Sequence, residues 1–304
     1  MATPSERTLV SFDWAMKNIL RDKANFDVLE GFLSTLLNED IRILSLLEGE
    51  ANQQYDLDKY NRVDLLAIDA NAQALIIELQ YTWQPAYLKR LLYGTSKLIV
   101  EQIKIGESFD QVRKVISISI LYFPVSQMDD DYLYHGKTEF IGMNNGKALC
   151  VDMAKLPKPD KANQQALHKH GEGKTVNIFP EYYLIEVEHF QNIIRQPIDE
   201  WVYLFKNSQV PEDFHSKNIQ AAKEKLMVLH MSEAERKAYE QFQTSRASAM
   251  DLLAGQYQEG MAQGIEIGKE ETKRENARRM KAKGLDLTLI ADISGLSETE
   301  IQIL

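Results

Sequence analysis

An α/β fold is predicted for this chain: a mixed sheet flanked by helices, followed by an α-helical C-terminal region. Three observations lead there. Residues 62–81, RVDLLAIDANAQALIIELQY, hold two apolar, strand-like runs broken at Asn71, the pattern of a β-hairpin. Residues 86–104 carry helical spacing and lead into 115–123, VISISILYF, an apolar strand closed by Pro124. From about residue 216 the composition is helical. Helix, strand, strand, helix, strand is the order of an α/β core with a mixed sheet.

The elements follow in chain order. Residues 12–21 and 25–37 have helical spacing, with Phe12, Ala15, Met16, Ile19 and Leu20 on one apolar stripe and Ser11 as N-cap. Residues 41–60 are less regular. Strands are expected over 62–69 and 75–81. A helix over 86–104 starts near Pro85 and buries Leu88, Leu91, Leu92, Leu98 and Ile99. Phe140–Val151 resembles a strand pair turning at Asn144-Asn145-Gly146. Residues 155–175, rich in Pro, Lys and Gly, read as a long polar loop holding His168 and His170, which lack a third nearby ligand. A strand is expected at 181–189 and a helix at 197–207. Residues 219–245 look amphipathic, and 246–283 form a charged helix with Gly260, Gly264 and Gly268 at a period of four. Two short helices joined at Gly295 end the chain, the second capped by Ser297 and Glu300. They echo a helix-turn-helix, but the second helix leads with acids, which argues for packing or oligomerisation over groove reading. The expected division is a core at 1–125, an α+β extension at 126–215 and a helical region at 216–304.

At 304 residues, 44% hydrophobic and 26% charged, the chain has the composition of a soluble globular protein. No apolar run approaches 18 residues, and the N-terminus has no hydrophobic signal core, so neither a membrane span nor a leader is expected. One cysteine, Cys150, excludes an internal disulfide and suits a reducing cytoplasm. The net charge of −10 disfavours broad attraction to nucleic acid. A local basic face is nonetheless present. Between Leu79 and Val100 lie Lys89, Arg90 and Lys97 and no acid, with Arg90, Tyr93 and Lys97 at i, i+3 and i+7.

Chemistry concentrates in the hairpin. Strand period puts Glu78 and Gln80 on one face, and pairing through a turn near Asn71 brings Asp64 close to Glu78. Two carboxylates at the end of a hydrophobic sheet are costly unless a cation or a shared proton compensates. A divalent metal is the common solution, and hard cations such as magnesium or calcium prefer oxygen ligands. The bland alternative is a solvated strand face. The apolar residues on both sides of Glu78 point instead to a central strand.

Asp64, then Glu78-x-Gln80, after Asp13-x-x-x-Lys17 and before a helix carrying Arg90 and Tyr93, resembles the PD-(D/E)XK nuclease superfamily. More narrowly the chain resembles its recombination-promoting nuclease branch, often labelled transposase (Rpn family). FPEYYLIEVEHF, Asp199-Glu200-Trp201, the Gly-x-x-x-Gly repeat and KGLDLTLIADISGLSETEI agree with that branch, so the likeness spans nearly the whole chain. It implies a restriction-endonuclease-like core and a metal-dependent endonuclease acting on DNA. Asp64 and Glu78 would hold the ion, with the Leu79 carbonyl as third ligand. Magnesium is the expected metal, with calcium or manganese as alternatives. The third motif position, usually Lys, is Gln80, which carries no charge and cannot act as a base. Lys17 or Lys59 is a substitute source of charge. Asp13 either reaches the metal through water or faces solvent. Lys89, Arg90, Tyr93 and Lys97 would contact DNA. A cytoplasmic homodimer joined through the C-terminal helices is expected, with a role in recombination, mobile elements or phage defence.

Two readings compete: a catalytically weak nucleic-acid-binding or assembly protein on the same fold, and a phosphodiesterase acting on RNA or nucleotides. No P-loop, Rossmann fingerprint or Ser or Cys nucleophile motif is present. The acidic triplet of integrase-type transposases is not visible either, which argues against strand transfer.

Overall fold

The computed structural model describes residues 9–47, 64–83, 86–125, 131–149 and 178–304. The expectations for Lys59, Cys150, His168, His170 and the loop at 155–175 lie outside these residues. The chain divides into two compact units, Met1–Arg236 and Lys237–Leu304.

The first unit is a six-stranded mixed sheet with helices. In chain order it holds α1 (Phe12–Asn18), α2 (Phe26–Leu37), β1 (Ile43–Leu47), β2 (Leu65–Asp69), β3 (Ala74–Gln80), α3 (Tyr87–Glu101), β4 (Val115–Leu121), β5 (Leu133–Gly136), β6 (Glu181–Glu186), α4 (Pro197–Asn207) and α5 (Ile219–Lys225). The strand order is β1-β2-β3-β4-β6-β5. β3, β4 and β6 are parallel, and the other neighbours pair antiparallel. β3 is therefore central, as its apolar run requires.

The hairpin is closed by Asp69. Its Oδ1 accepts from the Asn71 N–H (2.9 Å) and the Gln73 N–H (2.8 Å), while Ala72 takes a left-handed conformation with φ 58. This side-chain mimic of a turn hydrogen bond fixes the β2–β3 register at Leu65↔Ile77. Ala74, Ile76, Glu78 and Gln80 then share one face of β3. Leu98 and Ile99 of α3 pack on that face against Leu66, Ala74, Ile76 and Val115. Leu75 and Ile77, on the opposite face, are fully buried. α1, α2 and α4 meet through an aromatic cluster of Phe12, Phe32, Trp201 and Phe205, with Phe12 and Phe205 ring centres 4.3 Å apart.

Three expectations need correction. In α3, Leu88 and Leu92 are 50% and 59% exposed; the buried residues are Tyr87, Leu91, Gly94 and Thr95. Gly94 and Thr95 are buried, as are Ser117 and Ser119 on β4, so small residues and not Leu88 and Leu92 occupy the covered face of the helix. At Phe140–Val151 the turn forms, with Gly146 at φ 67, but the strands reduce among the described residues to one bridge, Ile141↔Ala148. Asp13 does not face solvent: it is 1% exposed. Two edge strands were not anticipated. β1 leaves Leu44 and Leu47 in solvent, and β5 has only four residues.

In the second unit, α6 (Glu233–Ala282) runs 50 residues, beginning just before the unit boundary, and is followed by α7 (Leu287–Ser294) and α8 (Glu298–Ile303). Ala277, Ile290, Leu296 and Ile301 form its small core. The Lys281 ammonium donates to the Ile301 and Gln302 carbonyls (2.9 and 2.8 Å), closing the last helix at its negative end. The Ser297–Glu300 capping box is present, and Gly295 sits at φ 70. Around Gly260, Gly264 and Gly268 an added Cβ would meet nothing within 4 Å. No helix among the described residues is long and apolar enough to cross a membrane.

Candidate active site

The carboxyl end of β3 gathers the charged groups. Continuing the β2–β3 register by one pair sets Asp64 opposite Glu78 on the same face. Asp64 Oδ2 accepts the Leu79 N–H at 2.7 Å, so a side chain takes the place of the next rung of the ladder. The Arg21 guanidinium donates to the Asp64 backbone carbonyl at 2.9 Å. Lys17, one turn after Asp13 on α1, brings its ammonium to 3.9 Å from the other Asp64 oxygen. Glu78 is 8% exposed and is flanked on β4 by Ser119.

Burial is the main influence on Glu78. It pushes the carboxyl up to about 7, the Asp64 charge pushes the same way, and the Arg90 guanidinium opposes both. Tyr87, fully buried at the start of α3, is pushed up to about 12, first by burial and further by the charges of Glu78 and Asp64; the Ser119 hydroxyl and Arg90 pull the other way. Arg90 Nη2 donates to Gln80 Oε1 at 2.8 Å, and its guanidinium lies 5.5 Å from the centre of the Tyr87 ring. Gln80 Nε2 donates to the Thr82 carbonyl at 3.2 Å.

The sequence candidates thus separate into two groups. Asp64, Glu78, Leu79, Gln80, Lys17 and Arg90 converge on the end of the hairpin, and Asp13 sits buried one turn from Lys17. Lys89 and Tyr93 are exposed on α3 away from these contacts. Lys97 is largely covered, 3.9 Å from Glu101, an acid one residue beyond the window that looked purely basic. Sequence reasoning missed Arg21 and Tyr87. Both had a spacing signal: Arg21 follows Asp13 and Lys17 at a period of four, and Tyr87 precedes Arg90 by three.

The donor set is two carboxylates beside main-chain groups. Among the described residues no group of three or more His, Cys, Asp or Glu forms a metal cage. Two carboxylates with solvent and substrate oxygens suit magnesium, which seldom uses all-protein cages. The raised carboxyl of Glu78 beside Asp64 is the electrostatic imbalance that a hard cation relieves.

A family model described as PD-(D/E)XK nuclease family transposase matches residues 10–253, which contain the whole arrangement. No curated protein and no solved structure matches the chain.

Proposed function

Since the chain belongs to the PD-(D/E)XK nuclease family transposases, we propose that it is a metal-dependent DNA endonuclease. Nucleases of this superfamily generally use divalent metals. Asp64 and Glu78 would hold the ion, with the Leu79 carbonyl as third ligand and magnesium as the metal. The bound ion would lower the pKa of a water and neutralise charge on the phosphate. Asp64 is oriented for this by the Leu79 N–H and Lys17, and its backbone is anchored by Arg21. The buried side of Glu78 excludes water from its surroundings, which strengthens each charge interaction there. Asp13, buried in the first turn of α1 one turn from Lys17, would reach the metal through water. On α3, Lys89 and Tyr93 are the exposed groups available to DNA. Arg90 reaches the site, and Lys97 contributes at the margin.

The observation that supports this reading most is the facing of Asp64 and Glu78 across the hairpin end, inside the matched region. Incubating the purified protein with plasmid, with and without magnesium, tests it. Wild type should nick or linearise plasmid only with the metal, and Asp64→Ala and Glu78→Ala should not. Cleavage by either variant at the wild-type rate overturns the assignment.

Self-association through α6 belongs to the same proposal. Leu253, Tyr257, Met261 and Ile265 lie exposed at a period of four beside the glycines. A dimer would bring two cutting sites to one duplex. A cytoplasmic location and a role in recombination, mobile-element maintenance or phage defence complete the reading.

A further inference from the structure

We propose that Arg90 supplies, from helix α3, the positive charge that a lysine at position 80 would supply from strand β3, and that Gln80 is the positioning residue that aims it. The inference rests on the endonuclease reading. It begins with the two hydrogen bonds of the Gln80 amide. Arg90 has only donors, so its partner must be the amide oxygen, at 2.8 Å. The Thr82 carbonyl only accepts, so the amide nitrogen must face it, at 3.2 Å. Gln80 is therefore held in one orientation, with its oxygen committed to the guanidinium. It presents no charge of its own, and its contribution to the reaction passes through Arg90.

Arg90 is suited to that role in three ways. It is half-buried, so its charge is screened less than that of an exposed lysine. The Tyr87 ring, 5.5 Å away and itself fully buried, supports it from α3. A guanidinium carries five donors in a planar fork, enough to keep Gln80 and grip two phosphate oxygens together. The other described candidate, Lys17, stands 3.9 Å from Asp64 with half its side chain exposed, so it serves a ligand carboxylate and not the Gln80 side of the site. The arrangement also explains why position 80 is neutral: a lysine there would face the guanidinium at hydrogen-bond range.

A double-mutant cycle with a binding readout tests this. Cleavage is measured for wild type, Gln80→Ala, Arg90→Ala and the double variant, with thermal melts to confirm folding. Arg90→Ala should lose about 100-fold or more in rate, as for the removal of one donor from a developing oxyanion. Gln80→Ala should lose less, and the double variant should be no worse than Arg90→Ala. Arg90→Lys should recover part of the rate. Gln80→Lys alone should be impaired, while Gln80→Lys with Arg90→Ala should exceed Arg90→Ala by at least about tenfold, because one cation is restored without repulsion. Duplex binding in calcium, followed by anisotropy against salt, should show a slope lower by about one for Arg90→Ala. Multiplying losses for Gln80→Ala and Arg90→Ala, or an unchanged salt slope, would overturn the proposal. A wild type that binds duplex but never cuts sinks the endonuclease reading instead; the Arg90 slope then still decides whether the guanidinium meets phosphate.

Discussion

Replacing Glu78 by Gln in metal-free protein should stabilise it, and only at higher pH. Glu78 is 8% exposed, and burial holds its carboxyl at about 7 against an ordinary 4.5. Between these values the unfolded chain has lost the proton and the native one still holds it. The native state then binds more protons, so stability falls as pH rises from 4.5 to 7 and stays low above that. At about 1.4 kcal/mol per pH unit, the penalty above pH 7 is roughly 3 kcal/mol. Gln keeps the shape and cannot ionise, so the variant should escape the penalty. In a unit the size of Met1–Arg236 that corresponds to a melting temperature higher by about 6–12 °C at pH 8, with little difference at pH 4. Trp14, Trp83 and Trp201, the only tryptophans, all lie in this unit, so their fluorescence follows its melting alone. Magnesium should close most of that gap at pH 8: at a hundred times its dissociation constant it adds about 2.7 kcal/mol to wild type and little to the variant. If the variant melts below wild type at pH 8 without metal, Arg90 outweighs burial and the electrostatic account of the site is wrong.

Three further outcomes are expected. Leu91→Ala should cost about 2–4 kcal/mol in urea unfolding and Leu88→Ala under about 1, because Leu91 is 8% exposed and Leu88 50%; equal costs would restore the leucine stripe read from sequence. Asp69→Ala should cost about 2 kcal/mol by removing the acceptor of two turn N–H groups, and a loss near zero in the same assay would mean the turn is held by Ala72 and its neighbours. Gly260→Ala, Gly264→Ala and Gly268→Ala meet open space, so each should raise helix stability by about 1 kcal/mol in circular dichroism melts. If α6 self-associates through this stripe, light scattering should show the same three changes weakening the oligomer, and an unchanged mass would remove the glycines from any interface.

Much of the first unit was legible because its signals are local. A central strand announces itself by apolar residues on both faces, which made β3 and β4 readable. Asp64 and Glu78 were legible because polar residues in such a strand have no packing reason to be there. β1 and β5 escaped because edge strands bury one face at most; Leu44 and Leu47 point to solvent and carry no alternation. The face of α3 was misread because a leucine count assumes that large residues decide a helix's orientation. Gly94 and Thr95 lie on its covered face here, and small residues leave no mark on a hydrophobic pattern. Arg90 was read as a surface base for a related reason. Its partner, Gln80, is ten positions away, and nothing in either residue type names the other.

The turn at Asp69 has a consequence some distance away. Five residue steps, roughly 17 Å of strand, separate it from Asp64. Side chains alternate along a strand, so a slip of one residue between β2 and β3 would send the carboxylate of Asp64 to the opposite face and leave Glu78 alone. The length of this loop is thus a timing gear for the chemistry: adding or deleting one residue among Ala70, Asn71, Ala72 and Gln73 would leave the sheet able to form and the acids unable to meet. Insertions that a surface loop ordinarily tolerates would be selected against here, not for stability but for the phase of the strand that follows.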